Sequence, residues 1–367
     1  MNIIEKTTCR LCNGKVIPVF ALSPTPIANN YTLTPDKNAE KYPLELCECN
    51  DCSHVQQRYV IDNLYEDYKY TTPATVARYL EPTAKLLKER FPNAKTVLEI
   101  GSNNGTYLKV LRNNGFEAIG IDPAATEMPN GNGEYRNYFA EEWARLWIEY
   151  GKNRFDLIVA NNVLAHIDDL QDVFRGIDLL LAKDGALVFE VQYLHALINS
   201  GSFDMIYHEH MSYHTVEPLK EFVKKYGLVI TNVDLMPLHG GSVRITARRS
   251  GQETMFHEFP IDWIEFAKRV ETARDLIRAK VAGKKLVGFG AAAKATTLIH
   301  HCGIADHFSF IVDDTPEKQG RYIPGTDIQI LPTDQVKNGD TIFMFAWNYE
   351  KEIHEKFPKS ELIHPFK

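Results

Sequence analysis

The chain has 367 residues, 48 acidic and 41 basic side chains and a formal net charge of −7, with 44% hydrophobic and 24% charged residues. This composition excludes fibrous, low-complexity and wholly disordered proteins, and the length calls for two or three domains because single cores stop growing near ~250–300 residues. The acidic balance argues against nucleic acid, no apolar run approaches the ~20 residues of a membrane helix, and MNIIEKTTCR lacks a secretory apolar stretch, so a cytoplasmic protein with no nucleic-acid or membrane partner is expected, as a monomer.

Five of the six cysteines fall in the first 52 residues. Cys9 and Cys12 form one C-x-x-C, and Cys49 and Cys52 a second. Two such pairs on tight turns aim four sulfurs at one point, which suits tetrahedral zinc. Gly14 fits the first turn, and Cys47 is a spare thiol able to compete as a ligand. Four thiolates leave no open position, so the metal is expected to be structural. Cys302 stands alone and reads as a small core hydrophobe. The region 1–65 is the expected metal module.

Residues 62–92 read as mainly helical, with tyrosines at 65, 68, 70 and 79. Strands and helices then alternate. TVLEIG, FEAIGID, FDLIVAN and GALVFEV are apolar strands, and TYLKVLRNNG is a helix ending at Gly115. This alternation argues an α/β fold with a parallel, doubly wound sheet. VITNVDLMP and GGSVRITARR read as an antiparallel pair closing the sheet. That gives a second domain over 66–250.

The loop Glu99-Ile100-Gly101-Ser102-Asn103-Asn104-Gly105 follows one strand and opens a helix, and Asp122 ends the next strand. Glycines let backbone approach a ligand, and an acid at the second strand's end can hold ribose hydroxyls. The spacing is not that of a dinucleotide site. It has the acidic-x-Gly-x-x-x-Gly form of an S-adenosylmethionine (SAM) loop, with Asn103 at the usual middle glycine and Asn104 where an acid is common. Asn161 and Asn162 follow the third strand and join this cofactor set. A tight structural turn is the bland alternative.

After the fourth strand comes Tyr207-His208-Glu209-His210-Met211-Ser212-Tyr213-His214. Ligands of doubly wound sheets bind beyond the carboxyl ends of the strands. A His–Glu pair there can supply a base, and tyrosines can stabilise an oxyanion. A polar structural loop ranks second. A metal site at His208, Glu209, His210 and His214 ranks third. Leu238-His239-Gly240-Gly241-Ser242-Val243-Arg244 allows a close backbone approach, with His239 and Arg244 placed for phosphate or sugar oxygens. A bulge into an edge strand is its alternative.

Residues 257–282 read as one long amphipathic helix, and 251–367 as a third domain. Its strand KLVGFG leads into Gly288-Phe289-Gly290-Ala291-Ala292-Ala293-Lys294, and Asp313 ends the next strand, FSFIVDD. The pattern G-x-G-x-x-A is a dinucleotide fingerprint, which motivates an NAD-dependent oxidoreductase as the rival function. Alternatively this unit holds the nucleotide of an activated substrate. The turn with Lys318, Arg321 and Tyr322 offers two cations for a diphosphate, or is a solvated loop.

Together these motifs resemble the SAM-dependent C-methyltransferases of deoxysugar biosynthesis. The resemblance spans nearly the whole chain: CRLC, CNDCSHVQ, LEIGSNNGTYL, ANNVLAHI, YHEHMSYH, HGGSVR, GFGAAAK, KQGRYIPGT and AWNYEKEI occur in order. It implies a zinc module, a class I SAM-methyltransferase Rossmann-like domain and a second Rossmann-like domain that helps hold a nucleotide sugar. It carries Cys9, Cys12, Cys49 and Cys52 over as zinc ligands. His210 matches the family's base, with Tyr207 and Glu209 beside it, Glu209 orienting the imidazole, and Tyr70 closing over the site. The substrate implied is a nucleoside-diphosphate 4-keto sugar, dTDP-linked, methylated at carbon three. His208, His239, Gly241, Arg244, Gly290, Lys294, Asp313, Lys318, Arg321, Tyr322, Trp347 and Asn348 are its expected contacts. An O- or N-methyltransferase on the same scaffold and a non-catalytic nucleotide-sugar binder are the remaining alternatives.

Overall fold

The computed structural model describes residues 2–61, 74–123 and 133–367. Among the described residues there are four sheets: a two-stranded antiparallel ribbon of Ile3–Glu5 with Tyr59–Ile61, and three larger sheets that each owe their type to their sequence pattern. The central sheet has seven strands in the order Val229–Met236, Ser242–Arg248, Leu181–Gln192, Phe155–Asn161, Thr96–Ile100, Glu117–Ile121, Glu134–Tyr135. Its inner strands are parallel, and Ser242–Arg248 runs antiparallel to both neighbours. The strands Thr96–Ile100 and Phe155–Asn161 are buried on both faces, as a parallel sheet covered by helices requires. Helices Thr106–Asn113 and Leu170–Leu180 bury their apolar faces against it.

The C-terminal sheet has five parallel strands in the order Ile330–Leu331, Phe308–Val312, Leu286–Phe289, Thr341–Met344, Glu361–Ile363. The helix Ala293–Cys302 follows its glycine loop and stops at Gly303, whose φ of 63° is the left-handed cap that glycine supplies at little cost. The long helix runs over Trp263–Val281 rather than from residue 257. Asp262 caps it by accepting from the Glu265 N–H, and Pro260 just upstream disfavours helical backbone at Phe259.

The N-terminal sheet is antiparallel, in the order Val16–Thr25, Tyr42–Cys49, Val55–Gln57, Ser212–Tyr213. Its last strand belongs to the YHEHMSYH segment. The metal module thus adds a strand from the loop that carries the candidate base, and ties that loop down through backbone hydrogen bonds. No helix among the described residues is long and apolar enough to cross a membrane.

Candidate active site and metal centre

The two C-x-x-C turns converge. Cys9 Sγ lies 3.6 Å from Cys52 Sγ, and Cys12 Sγ lies 3.4 Å from Cys49 Sγ. All four sulfurs fall within 4.8 Å of one another. Zn–S bonds of ~2.3 Å in a tetrahedron place sulfurs about 3.8 Å apart, so the donors fit zinc. Backbone N–H groups of Leu11, Gly14 and Asp51 point at Cys9, Cys12 and Cys49 sulfurs, which favours thiolates. The left-handed residues of the turns are Asn13 and Ser53, not Gly14. Gly14 is needed for space, because a Cβ there would lie 2.2 Å from the Asp51 carboxylate. Cys47 is buried in the strand Tyr42–Cys49 and stands outside the cluster. No second group of metal-ligating side chains occurs among the described residues, so the third-ranked metal site in the histidine segment is absent there.

A cavity of about 810 Å³ runs between the central and C-terminal sheets. Both glycine loops and the histidine segment line it. Its first end is built by Glu99, Gly101, Asn103, Asp122, Asn161 and Asn162. Asn103 has φ 49°, so it takes the left-handed conformation that a middle glycine would supply, which asparagine tolerates better than most residues. Its N–H donates to Asp122 Oδ2 at 2.9 Å, which locks the loop onto the second strand. Asn162 is likewise left-handed, at φ 53°. A Cβ on Gly101 would come 2.8 Å from Val163, so the two loops can approach only with glycine there. Gly105 is outside the cavity wall.

Three carboxylates, Glu99, Asp122 and Glu190, line this end. Burial, then Asp122 and Glu134, push the Glu99 carboxyl well above its ordinary range. Glu99 Oε2 and Glu190 Oε1 are buried with no hydrogen-bond partner. Such a wall suits a ligand that brings a cation and several donors. The sulfonium, amino group and ribose hydroxyls of SAM meet that requirement, so the residues present fit the cofactor.

Glu190 and Arg244 form a buried ion pair at 3.0 Å from adjacent strands, and Arg244 also donates to Thr83 Oγ1 at 2.8 Å. Removing one member strands the other charge. Arg244→Met is expected to lower the unfolding free energy by about 3–5 kcal/mol, read as a fall in the urea midpoint at unchanged slope. A midpoint matching wild type would show the pair to be energetically idle.

The segment Tyr207–His214 forms the middle of the cavity. Tyr207, Glu209 and His210 line it with His166 and His239. His210 Nδ1 lies 3.1 Å from the Met205 carbonyl and therefore carries the proton. Its Nε2 lone pair faces the Tyr207 hydroxyl at 2.7 Å, and the rings lie 4.1 Å apart. Burial, then nearby His166, hold His210 well below the usual imidazole range, so it is neutral at pH 7. Met205 and Tyr207 orient this ring, and not Glu209 as expected from sequence. Glu209 Oε1 instead accepts from Asn29 Nδ2 at 2.9 Å, and burial pushes its carboxyl up to about 7. His208 turns away from the cavity, with Nε2 on the Tyr42 carbonyl at 3.3 Å. Tyr70 lies outside the described residues.

The far end is made by Gly290, Lys294, Asp313, Lys318 and Asn348. Lys294 donates to Asn348 Oδ1 at 2.5 Å and sits 4.1 Å over the Trp347 ring. Burial lowers it to about 8 against the pull of Asp204. Trp347 itself is outside the wall and donates to Asp204 Oδ2 at 2.7 Å. Asp313 accepts from the Ala291 and Thr315 N–H groups, so its oxygens brace the glycine loop itself. Arg321 and Tyr322 are not in the cavity wall. Arg321 bonds the Glu317 and Tyr31 carbonyls, and Tyr322 pairs with Thr32. Gly241 also lies outside; a Cβ there would strike Ala196 at 2.3 Å, so its role is close packing.

Sequence reasoning passed over Glu190, Asp204 and Asn29. A carboxylate inside the apolar run GALVFEV was the available signal for Glu190. Asp204 and Asn29 carry no local signal.

Three family models match the chain in succession: a zinc binding domain over 9–64, a methyltransferase domain over 70–233 and a C-methyltransferase C-terminal domain over 252–361. The chain is 31% identical to C-methyltransferase NovU from Streptomyces niveus, covering 94% of this chain and 90% of that protein. Among solved structures, an O-methyltransferase family protein from Burkholderia thailandensis aligns at 19% identity and a TM-score of 0.35, over 48% of this chain and 58% of that one. The magnesium protoporphyrin IX methyltransferase of Synechocystis PCC 6803, solved with bound SAH, aligns at 14% identity and a TM-score of 0.37, over 50% of this chain and 90% of that one.

Proposed function

This chain belongs to the C-methyltransferase family, and from that premise we propose that it methylates carbon three of a nucleoside-diphosphate 4-keto sugar, dTDP-linked. SAM is the methyl donor and zinc is structural. The observation that supports the sugar nucleotide is the single cavity that joins the SAM-type loop, the Tyr207–His210 pair and the second glycine loop.

Glu99, Asp122, Asn161 and Asn162 are placed to hold the donor, whose sulfonium supplies an electrophilic methyl. Lys294, Lys318, Asn348 and the backbone at Gly290 are placed for the substrate's diphosphate and nucleoside, with His239 toward the sugar, while Arg244 is held by Glu190 at the donor end. The C–H beside the ketone is acidic because its anion is an enolate. The Tyr207 oxygen takes that proton while the Tyr207 hydroxyl proton passes to His210 Nε2, over the 2.7 Å contact already formed. The imidazolium so produced keeps its Nδ1–H on the Met205 carbonyl. Burial of Glu209 and His210 beside Tyr207 at the cavity wall strengthens their polar contacts.

The test is the position of the new bond and the fate of the acidic hydrogen. With the demethylated cofactor bound in D₂O, the enzyme should exchange one carbon-bound hydrogen of a 4-keto sugar nucleotide. With SAM it should give a carbon-bound methyl group by NMR. A methyl group on oxygen or nitrogen, with no exchange, would favour the O/N-methyltransferase alternative instead. The C-methyltransferase C-terminal model over 252–361 displaces the oxidoreductase reading of Gly288–Ala293.

A further inference from the structure

The metal module reaches beyond its own sheet. After the strand Val16–Thr25 the chain crosses onto the C-terminal domain as a strap of short turns. The Ala28 carbonyl accepts from Thr296 Oγ1 at 3.2 Å. The Tyr31 hydroxyl donates to the Ala291 carbonyl, in the second glycine loop, at 2.6 Å. Tyr322 N–H donates to the Thr32 carbonyl at 2.9 Å. Lys318 reaches the same Ala291 carbonyl at 2.8 Å and lies 5.5 Å over the Tyr31 ring. These contacts hold the strap without help from Asn29.

Asn29 is the strap residue that enters the cavity wall. Its Nδ2 donates to Glu209 Oε1 at 2.9 Å, and its Oδ1 faces the Tyr31 hydroxyl at 3.3 Å. An ionised carboxylate only accepts, so the amide nitrogen must face Glu209, and the carbonyl toward Tyr31 agrees with that orientation.

We propose that Asn29 is a positioning residue for Glu209, so that the zinc-bearing module supplies part of the active site as well as a scaffold. The inference rests on the methyl-transfer reading of the cavity for its role in turnover, but its geometry does not depend on the acceptor. Glu209 is buried at the cavity wall, 2% exposed. Among the described residues the titratable groups around it include Tyr207, His208 and His210 on its own loop, His166, whose Nδ1 donates to the Glu209 carbonyl at 2.8 Å, and Tyr213 on the strand Ser212–Tyr213. Burial holds His166 and His208 down to about 4 and His210 well below the usual imidazole range, so none of these is a cation near neutral pH. The Asn29 amide is a side-chain donor that, with backbone N–H groups of Glu209 and Asn29, favours the ionised Glu209 against the burial that pushes it up to about 7. Removing that donor favours the protonated acid and moves its titration to higher pH.

The titration can be followed in the zinc-loaded protein by infrared difference spectroscopy, with the band assigned by its loss in Glu209→Gln. No methyl acceptor is present. Asn29→Ala is expected to raise the Glu209 midpoint by roughly one pH unit, the size of one hydrogen bond to a charged group. Asn29→Asp has almost the same shape and replaces the donor with a second carboxylate, so it should raise the midpoint further. The order wild type, Ala, Asp distinguishes positioning from mere packing, which would not rank the two variants by charge. A wild-type midpoint in either variant, at wild-type zinc content and melting temperature, overturns the proposal. If the variants shift as expected but wild type transfers no methyl group to keto-sugar nucleotides, the acceptor reading fails while the role of Asn29 stands.

Discussion

Replacing His210 with alanine is expected to lower turnover by about 10²–10⁴-fold while cofactor affinity stays near wild type. His210 is the only group among the described residues whose lone pair meets a cavity-lining phenol at 2.7 Å with its other nitrogen pinned as a donor. The imidazole is neutral near pH 7 because it is buried beside His166 and two further histidines. It can therefore receive a proton without first losing one. The substitution removes this acceptor and leaves Glu99, Asp122 and the asparagine loop in place, so binding of the demethylated cofactor, measured by calorimetry, should change little. Tyr207→Phe should follow the same pattern, since it breaks the relay one atom earlier. Wild-type turnover in His210→Ala would remove this side chain as the base. A large loss of cofactor affinity would instead assign it to binding.

Cys49→Ala should have the largest structural effect. Structural zinc contributes about 10–16 kcal/mol to the folding of small metal modules, far above the net stability of a domain. Losing one thiolate of four should abolish stoichiometric zinc and unfold the first 61 residues as a unit. The damage should spread, because the strand Ser212–Tyr213 pairs with Val55–Gln56 and the strap carries Asn29 to Glu209. Methyl transfer should therefore fall with the metal, although no catalytic step uses it. Metal analysis, limited proteolysis and a thermal melt on one preparation check this. A variant that keeps one equivalent of zinc and melts with wild type would mean that Cys47, or another donor, can replace Cys49. The present placement of Cys47 in a strand, outside the cluster, argues against that exchange.

Much of the site was legible because its chemistry is local. The C-x-x-C turns, the loop from Glu99 to Gly105 and the G-x-G-x-x-A loop each encode a backbone shape within a few residues. The departure at Asn103 is explained by one torsion angle, since asparagine accepts the left-handed conformation. The segment Tyr207–His214 was visible as a cluster of titratable groups placed after a strand. Its internal wiring was not. The resemblance implied that Glu209 orients His210, but the loop's turn gives that task to the Met205 carbonyl and the Tyr207 hydroxyl. Lys318 and Arg321 looked like a diphosphate clamp because nothing local shows that a strap from residues 28–32 takes up Arg321 and pairs with Tyr322, leaving only Lys318 of the two cations in the cavity wall.

The sequence by itself determined the α/β class, the two glycine loops and the four thiolates, because periodicity, turn residues and ligand spacing act over short stretches of chain; His210 as the candidate base came from the resemblance to a family. Only the tertiary structure decided which of these share one cavity. Glu190 meets Arg244 across adjacent strands, Asp204 meets Trp347, and Asn29 meets Glu209 across 180 residues. Those pairings depend on sheet order and on how three domains pack, and buried polar groups must find partners wherever the fold brings them, not where the sequence places them.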